Sequence, residues 1–426
     1  MENNKKLSLL KISFLVIILL ASCFGVYKVF ESKSYDKDKK DEKKEPYVHN
    51  KVVTDDFSYS FLKLETKNKN MIYSPLSIKY ALSMLKEGAA NDTKVELDNL
   101  LKDISLTKYQ NIDKKLSLAN ALFIKNEFKD NVLTSYIDKL KEKYDAEIKY
   151  DEFKSASNIN KWISDKTFNI IKNVLSDSYF SDPDLKMILI NALAIDMEWL
   201  VKFDDENTYG SDFVKENDEV ITVAMMHQFT KDKSFKYYQD ESYDLVSLPL
   251  KKYQDTQLEF IAILPKNERL HDFIIDDNFT TNVNNLLNKM SSVKENVALS
   301  ISIPRFQYDY SINVVDDLKA LGVKNIFDEE LADFSDMSNK PMYVSEILHK
   351  ADIKFSERGV KAAAVTVILT SETTAIQDEV DIKTLKFDKP FMYLIRDSKT
   401  NEVWFIGTVY EPVMWDEVKD EYKEVY

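Results

Sequence analysis

The stretch ERGVKAAAVTVILTSETTAIQDEV (Glu357–Val380) fits neither a typical helix nor a typical core strand. It contains no aromatic residue and no proline, and its only glycine stands near its start. Three alanines lead into a run of β-branched residues, which favour extended backbone, and polar residues follow. The side chains of this segment are too small for a strand that fills a core. The sequence therefore predicts an extended segment with a purpose other than packing.

The rest of the composition is that of a large globular protein. The chain has 426 residues, of which 44% are hydrophobic, so it can bury a sizeable core in one large domain or two average ones. Its net charge of −14 argues against nucleic-acid binding. Cys23 is the single cysteine, so no intramolecular disulfide can form. The four histidines are scattered and no metal motif occurs, so we expect no metal, no cofactor and no catalytic site.

Residues 1–30 read as a targeting segment. Lysines precede an uncharged run from Ile12 to Tyr27, which is the pattern of an export signal. Within it, Leu20 to Cys23 resembles a bacterial lipobox, in which Cys23 would be lipidated; the alternative is an uncleaved membrane anchor. Either reading places the protein outside the cytoplasm, tethered to the membrane or secreted.

Three further regions follow along the chain. Residues 31–50 are a mixed-charge run that we expect to be a disordered linker. Residues 51–415 show no comparable break and form one predicted domain. Residues 416–426 are an acidic tail, for which a solvated, frayed end is favoured over a partner-binding element.

Helices and strands are mixed without a strict alternation, which predicts an α+β fold with several sheets. One helix is expected from Pro75 to Gly88 with Ser74 as its cap, and a second is expected to open on a capping box of Thr93 and Glu96. A third is expected over residues 158–175. MILINALAIDM (187–197) and LEFIAILP (258–265) are continuously apolar and should be central strands.

Seven segments, taken in order, resemble the serpin family over about Phe57 to Pro412. The resemblance implies three β-sheets, eight or nine helices and an exposed reactive-centre loop that begins in the opening stretch. The segments are NMIYSPLSIKYALSMLKEGA (70–89), LANALFI (118–124), NALAIDMEWLVKF (191–203), SISIPRF (300–306), LKALGVKNIF (318–327), VSEILHKADIKFSERGVKAAAVT (344–366) and FDKPFMYLIRDSKTNEVWFIGTV (387–409).

The family resemblance also implies a mechanism of inhibition. A target endopeptidase cleaves the loop and forms an acyl-enzyme, after which the loop inserts into a sheet and traps the covalent complex. An inserting strand alternates its faces, and the face that starts at Val360 carries no charge. If this face turns to the core, Lys361 points to solvent. That face consists of Val360, Ala362, Ala364, Thr366 and Ile368.

The family places the scissile bond at a set distance from the hinge glutamate, which gives Thr373–Thr374 here. The loop is longer than usual, so any bond within 371–379 stays open. No Arg or Lys lies between Lys361 and Lys383, so a trypsin-like target is not expected. The small residues favour an elastase-like, subtilisin-like or cysteine protease.

Several support residues are carried over by the resemblance. The expected hinge is Glu357, Gly359, Val360, Ala362, Ala363 and Ala364. The expected shutter, which lies beneath the parting strands, is Ser74, Ser77, Asn191 and His349. The expected breach, where the loop first inserts, is Trp199 and Arg305.

Arg305 stands where the family usually has a lysine, and its fork is expected to pair firmly with Glu357. Val360 and Lys361 depart from the family's usual Thr or Ser followed by Glu. The expected protein is a monomeric protease inhibitor and not an enzyme. The alternative is a non-inhibitory serpin that acts as a carrier or chaperone.

Overall fold

The structure, a computed structural model, describes residues 12–22, 57–102, 106–360 and 380–421. The helices are α1 (Phe57–Glu65), α2 (Pro75–Lys86), α3 (Asn91–Leu100), α4 (Thr134–Tyr144), α5 (Ser157–Lys166), α6 (Leu270–Ile275), α7 (Phe279–Lys289), α8 (Val315–Ala320) and α9 (Trp415–Val418). The strands are β1 (Ile12–Ser22), β2 (Met71–Tyr73), β3 (Leu116–Lys125), β4 (Glu147–Asp151), β5 (Leu185–Ile195), β6 (Met197–Glu198), β7 (Thr208–Val214), β8 (Val220–Thr230), β9 (Lys236–Gln239), β10 (Tyr243–Pro249), β11 (Leu258–Pro265), β12 (Ser291–Ser292), β13 (Val297–Pro304), β14 (Phe306–Asn313), β15 (Met342–Phe355), β16 (Gly359–Val360), β17 (Asp381–Lys386), β18 (Phe391–Asp397) and β19 (Val403–Val409).

The predicted α+β architecture is confirmed. The strands form three large sheets and the short pair β16–β6. We call the large sheets sheet A (β14-β15-β1-β5-β3-β4), sheet B (β12-β9-β10-β11-β18-β19-β2) and sheet C (β17-β13-β8-β7). The predicted central strands β5 and β11 are buried along nearly their whole length, because both of their faces are covered.

Strand β1 occupies the middle of sheet A. It runs parallel to β15 on one side and to β5 on the other. Since neighbouring strands lie about 4.8 Å apart, β15 and β5 are separated by roughly 10 Å. Sheet A is therefore open between these two strands, and a segment from the N-terminal part of the chain fills the gap.

Helix α2 begins as its sequence predicts. The hydroxyl of Ser74 accepts a hydrogen bond from the backbone N–H of Ser77 at 3.0 Å, and Pro75 occupies the first turn. The helix ends at Lys86, just before Gly88. Its apolar side chains are buried beneath the sheets, where the main core of the protein lies.

The predicted start of the second helix is wrong. Thr93 and Glu96 do not form a capping box, because α3 begins at Asn91 and its N-cap residue is Ala90. The Thr93 hydroxyl instead accepts from the N–H of Asp333, and Glu96 accepts from two backbone N–H groups near residue 325. Both side chains are thus used in tertiary contacts rather than in the helix end.

The helix expected over residues 158–175 is shorter than its apolar pattern suggests. Helix α5 ends at Lys166, and the backbone of Phe168 and of Asn169 takes positive φ angles, which a right-handed helix cannot contain.

In the part of the chain that the structure describes, no helix combines the length and hydrophobicity that a bilayer crossing demands.

Candidate functional site at the hinge and the sheet gap

The predicted hinge, which we call the hinge below, begins with a tight turn at the end of β15. The N–H of Gly359 donates to the carbonyl of Ser356 at 3.2 Å, and the N–H of Ser356 donates back to the carbonyl of Gly359 at 3.4 Å. Gly359 has a φ angle of +132°, and a Cβ there would lie 2.5 Å from the carbonyl oxygen of Met197. Only glycine therefore lets the chain turn this closely against the end of β5 and β6.

Glu357 is buried and held on two sides. Its carboxylate accepts from the hydroxyl of Thr208 at 2.8 Å, and its backbone carbonyl accepts from the N–H of Phe203 at 3.0 Å. Arg305 lies close by, with its Nε 3.9 Å from the Glu357 carboxylate. The hinge glutamate thus ties the end of β15 to the segment that leads into sheet C.

The guanidinium of Arg305 contacts two acids. Its Nε lies within ion-pair distance of the Glu357 carboxylate, and its Nη1 donates to the carboxylate of Glu421 at 3.1 Å. The expected pairing with Glu357 is therefore shared with Glu421. Both Arg305 and Glu357 are buried, so their contact is no ordinary surface ion pair.

Trp199 contacts both the hinge turn and the hydrophobic core. Its indole N–H donates to the carbonyl of Ser356 at 2.8 Å, and its ring packs edge-on against Phe260 and Phe355. Because one side chain bonds the turn and fills the core at once, the end of β15 and the extension of β5 are fixed to each other here. The structure therefore brings the predicted breach residues together around the hinge.

Val360 continues the chain in a specific direction. Strand β16 pairs antiparallel with β6, and Val360 lies opposite Met197 with its side chain fully buried. Since β6 extends β5, the chain leaves the hinge on a course antiparallel to β5. The other predicted loop residues and the lipidation residue lie outside the described residues: Ala362, Ala363, Ala364, Thr373, Thr374 and Cys23.

The predicted shutter residues fall on both sides of the gap. On the β15 side, Nε2 of His349 accepts from the backbone N–H of Ser74 at 3.2 Å. On the β5 side, the amide of Asn191 donates to the side chain of Asn120 at 2.8 Å. Ile18 of β1 stands opposite both His349 and Asn191 in the register, so one strand separates the two halves.

Sequence reasoning missed two residues of the site. Asn120 orients Asn191 and in turn donates to the carbonyl of Tyr144 at 2.8 Å. A buried amide in the apolar strand LANALFI was a usable signal, because such a group must find a partner. Thr208, which bonds Glu357, gives no such signal, because its neighbours in sequence are polar.

The described contacts of this site are hydrogen bonds that involve the backbone and buried side chains. Within the described ranges, no group of three or more His, Cys, Asp or Glu side chains is placed to hold a metal ion. His349 uses Nε2 to accept a backbone N–H and so does not present that nitrogen to a nucleophile. The site consists of the facing edges of β15 and β5, the gap between them, which β1 fills, and a turn that leads toward this gap.

Comparison with known proteins agrees with this architecture. The family model described as Serpin (serine protease inhibitor) matches residues 53–412. An uncharacterized serpin-like protein of Methanosarcina mazei is 30% identical over 366 residues, which cover 81% of this chain and 82% of that protein. The leukocyte elastase inhibitor of Xenopus laevis is 31% identical over 383 residues, covering 83% and 96% of the two chains.

Solved structures show the same fold. The thermophilic serpin tengpin in its native state superposes with a TM-score of 0.70 at 29% identity, covering 88% of this chain and 96% of that one. Uncleaved ovalbumin, at 23% identity and a TM-score of 0.67, shares the fold. From its matched length, its sheets and its hinge, the chain belongs to the serpin family.

Proposed function

We propose that this serpin is an irreversible suicide-substrate inhibitor of serine endopeptidases, with cysteine endopeptidases as a second target class. The protease nucleophile attacks the carbonyl of the scissile residue, the amine of the next residue leaves with a proton, and an acyl-enzyme remains. Insertion of the freed loop then traps the acyl-enzyme, an ester for a serine protease and a thioester for a cysteine protease, before water hydrolyses it. The nucleophile belongs to the protease, so this chain supplies no catalytic residue.

The observation that carries the proposal is the gap between β15 and β5 together with the course of the hinge. Sheet A accepts an added strand there, and β16 already runs antiparallel to the extension of β5. If that register continued, Ala362 would lie opposite Ile195, Ala364 opposite Leu193 and Thr366 opposite Asn191. All three of these β5 residues are fully buried, which suits the uncharged face of the loop.

The free energy of such an insertion is large. Each new backbone hydrogen bond contributes roughly 0.5–1.5 kcal/mol, so about a dozen of them contribute on the order of 10 kcal/mol. That is comparable to the whole stability of an ordinary domain, roughly 5–15 kcal/mol. Loop insertion into a sheet is established for the serpin family, and a fold that withholds it is kinetically trapped.

Strand β1 adds a condition to this mechanism. It pairs with β5 up to Ile195, which is where the loop would begin to pair, so the loop and β1 exclude each other. We assign residues 1–30 to export, by lipidation at Cys23, by a membrane anchor or by cleavage and secretion. On this assignment the N-terminal segment leaves the gap when the protein reaches its place outside the cytoplasm.

The target preference follows from the loop sequence. Thr373–Thr374 is the proposed scissile bond, and small residues around it suit an elastase-like or subtilisin-like pocket. The resemblance to a leukocyte elastase inhibitor supports this preference. We propose a monomeric inhibitor that forms a one-to-one covalent complex.

The test is to mix chains with and without residues 1–30 with pancreatic elastase or subtilisin. A denaturing gel should show a complex that survives boiling for the shorter chain, and mass spectrometry of the released peptide should place the cut within 371–379. Cleavage without a stable complex, from both chains and both proteases, would contradict inhibition and favour a carrier or chaperone.

A further inference from the structure

The chain continues past the family match, which ends at residue 412, and the continuation is docked on the breach. The N–H of Val413 donates to the carbonyl of Arg305 at 2.9 Å, and its carbonyl accepts from the N–H of Ala224 at 3.0 Å. The N–H of Arg305 in turn donates to the carbonyl of Ala224 at 2.8 Å. The tail therefore begins as part of the backbone network that holds Arg305, and the frayed end favoured by the sequence is not what residues 413–421 form.

Helix α9 seats the tail on sheet C. A Cβ at Gly210 would lie 2.8 Å from the ring of Trp415, so the glycine lets the indole lie directly on strand β7. Val418 is buried and packs with Ala224 of β8. Two apolar contacts thus fix the direction in which the chain leaves the helix, and that direction leads back to Arg305.

The last described residue, Glu421, closes the contact. Its carboxylate accepts from Nη1 of Arg305 at 3.1 Å, while Nε of the same guanidinium faces the hinge Glu357 at 3.9 Å. The charges of this cluster also act on Lys354 of β15. Burial and the charge of Arg305 lower the pKa of Lys354, whereas the carboxylates of Glu421 and Glu357 act to raise it. One guanidinium thus links the tail to the hinge.

We propose that residues 413–421 are a latch on the breach that slows the opening of the hinge. Glu421 orients Arg305 toward Glu357, so release of the tail weakens the contact that must change when sheet A parts beside β15. The consequence for inhibition rests on the proposed function: a looser latch gives faster spontaneous insertion of the uncleaved loop and an inactive protein. The latch itself requires only the described contacts.

Hydrogen exchange in the full chain tests the latch without any protease. The readout is the exchange rate of backbone amides in residues 197–203 and 356–360, which include the bonded N–H groups of Phe203 and Gly359. Glu421→Gln should speed this exchange about two- to fivefold, the range expected for an ion pair with one exposed partner. Glu417→Gln makes the same charge change on an exposed residue of the same tail and is the matched control.

The salt dependence separates an electrostatic latch from a general structural effect. Raising the salt from 0.05 M to 1 M should reduce the difference between Glu421→Gln and the parent chain, since ions screen an exposed pair. A Glu421→Gln variant that exchanges like Glu417→Gln would overturn the proposal. A difference that persists unchanged at 1 M salt would also overturn it.

A second variant disturbs the contact between the latch and strand β7. Gly210→Val puts side-chain atoms where Trp415 lies, so it should speed exchange at the hinge by at least the same factor; no change there would contradict the latch. If these variants behave as expected but no protease complex forms, the latch stands and the inhibitory function fails. The two failures are therefore distinguishable.

Discussion

Exchanging the neighbouring residues Lys361 and Ala362 tests whether one face of the loop must enter the core. The double variant Lys361→Ala, Ala362→Lys keeps composition, length and net charge and moves one ammonium group by one residue. Because strand side chains alternate, this moves the charge from the outward face to the face that would meet Ile195. Ile195 is fully buried in the main core.

The magnitude follows from that burial. An unpaired ammonium in an apolar site costs several kcal/mol, and the lysine stem lowers the cost by carrying its charge toward water. A remaining cost of about 3 kcal/mol in the insertion step corresponds to roughly a hundredfold slower insertion. Hydrolysis of the acyl-enzyme then outruns insertion, so the inhibitor becomes a substrate.

The assay is a titration of elastase or subtilisin activity with the chain that lacks residues 1–30. The stoichiometry of inhibition should rise strongly for the exchanged variant, and a gel should show cleaved, released protein in place of the complex. The single variant Lys361→Ala is the control, because it removes the charge without burying one. An exchanged variant that inhibits at the parent stoichiometry would refute the face assignment and the insertion mechanism with it.

Two further predictions concern stability. Gly359→Ala should lower the free energy of unfolding by about 1–3 kcal/mol, because a side chain at φ +132° is strained and collides with Met197; urea melts that match those of the parent would contradict it. Burial, with Asp309 as a second cause, raises the pKa of Asp352 from 3.8 to about 7. The folded protein therefore binds that proton more tightly than the unfolded chain, and this contribution to stability is full below about pH 4 and lost as the pH rises through about 7. Asp352→Asn should raise the melting temperature at pH 8 and change it little at pH 4. The increase in the free energy of unfolding at pH 8 should be no more than about 4 kcal/mol. Equal shifts of the melting temperature at both pH values would contradict the raised pKa of Asp352.

The strands could be predicted from the sequence because their apolar runs are long and bounded by polar turns. β11 coincides with LEFIAILP residue for residue, and β5 begins two residues before MILINALAIDM and ends two residues before its end. The end of α5 could not be predicted, because the apolar spacing continues past Lys166 while the backbone at Phe168 already leaves the helix. Local propensity and tertiary packing disagree there, and packing prevails.

The candidate site likewise has residues that could be predicted from the sequence and contacts that could not. Trp199 and Arg305 contact the turn at residues 356–359, and His349 and Asn191 lie on the two sides of the gap in sheet A. Their roles as breach and shutter stay predictions of the family resemblance. The sharing of Arg305 between Glu357 and Glu421 could not be read from the chain, since 116 residues separate Arg305 from its second partner. The strand conformation of Ile12–Ser22 could not be predicted either, because an apolar run of that length is compatible with a helix or a strand.

The most direct test of the account is the melting temperature of the chain that begins at residue 31, before and after one cut within 371–379. Insertion of the loop adds on the order of 10 kcal/mol of backbone pairing, so the cut protein should melt at least about 10 °C higher. The full-length chain, whose gap holds β1, should show a much smaller rise after the same cut. A cut chain from residue 31 that melts where the intact one does would contradict the claim that sheet A receives the loop.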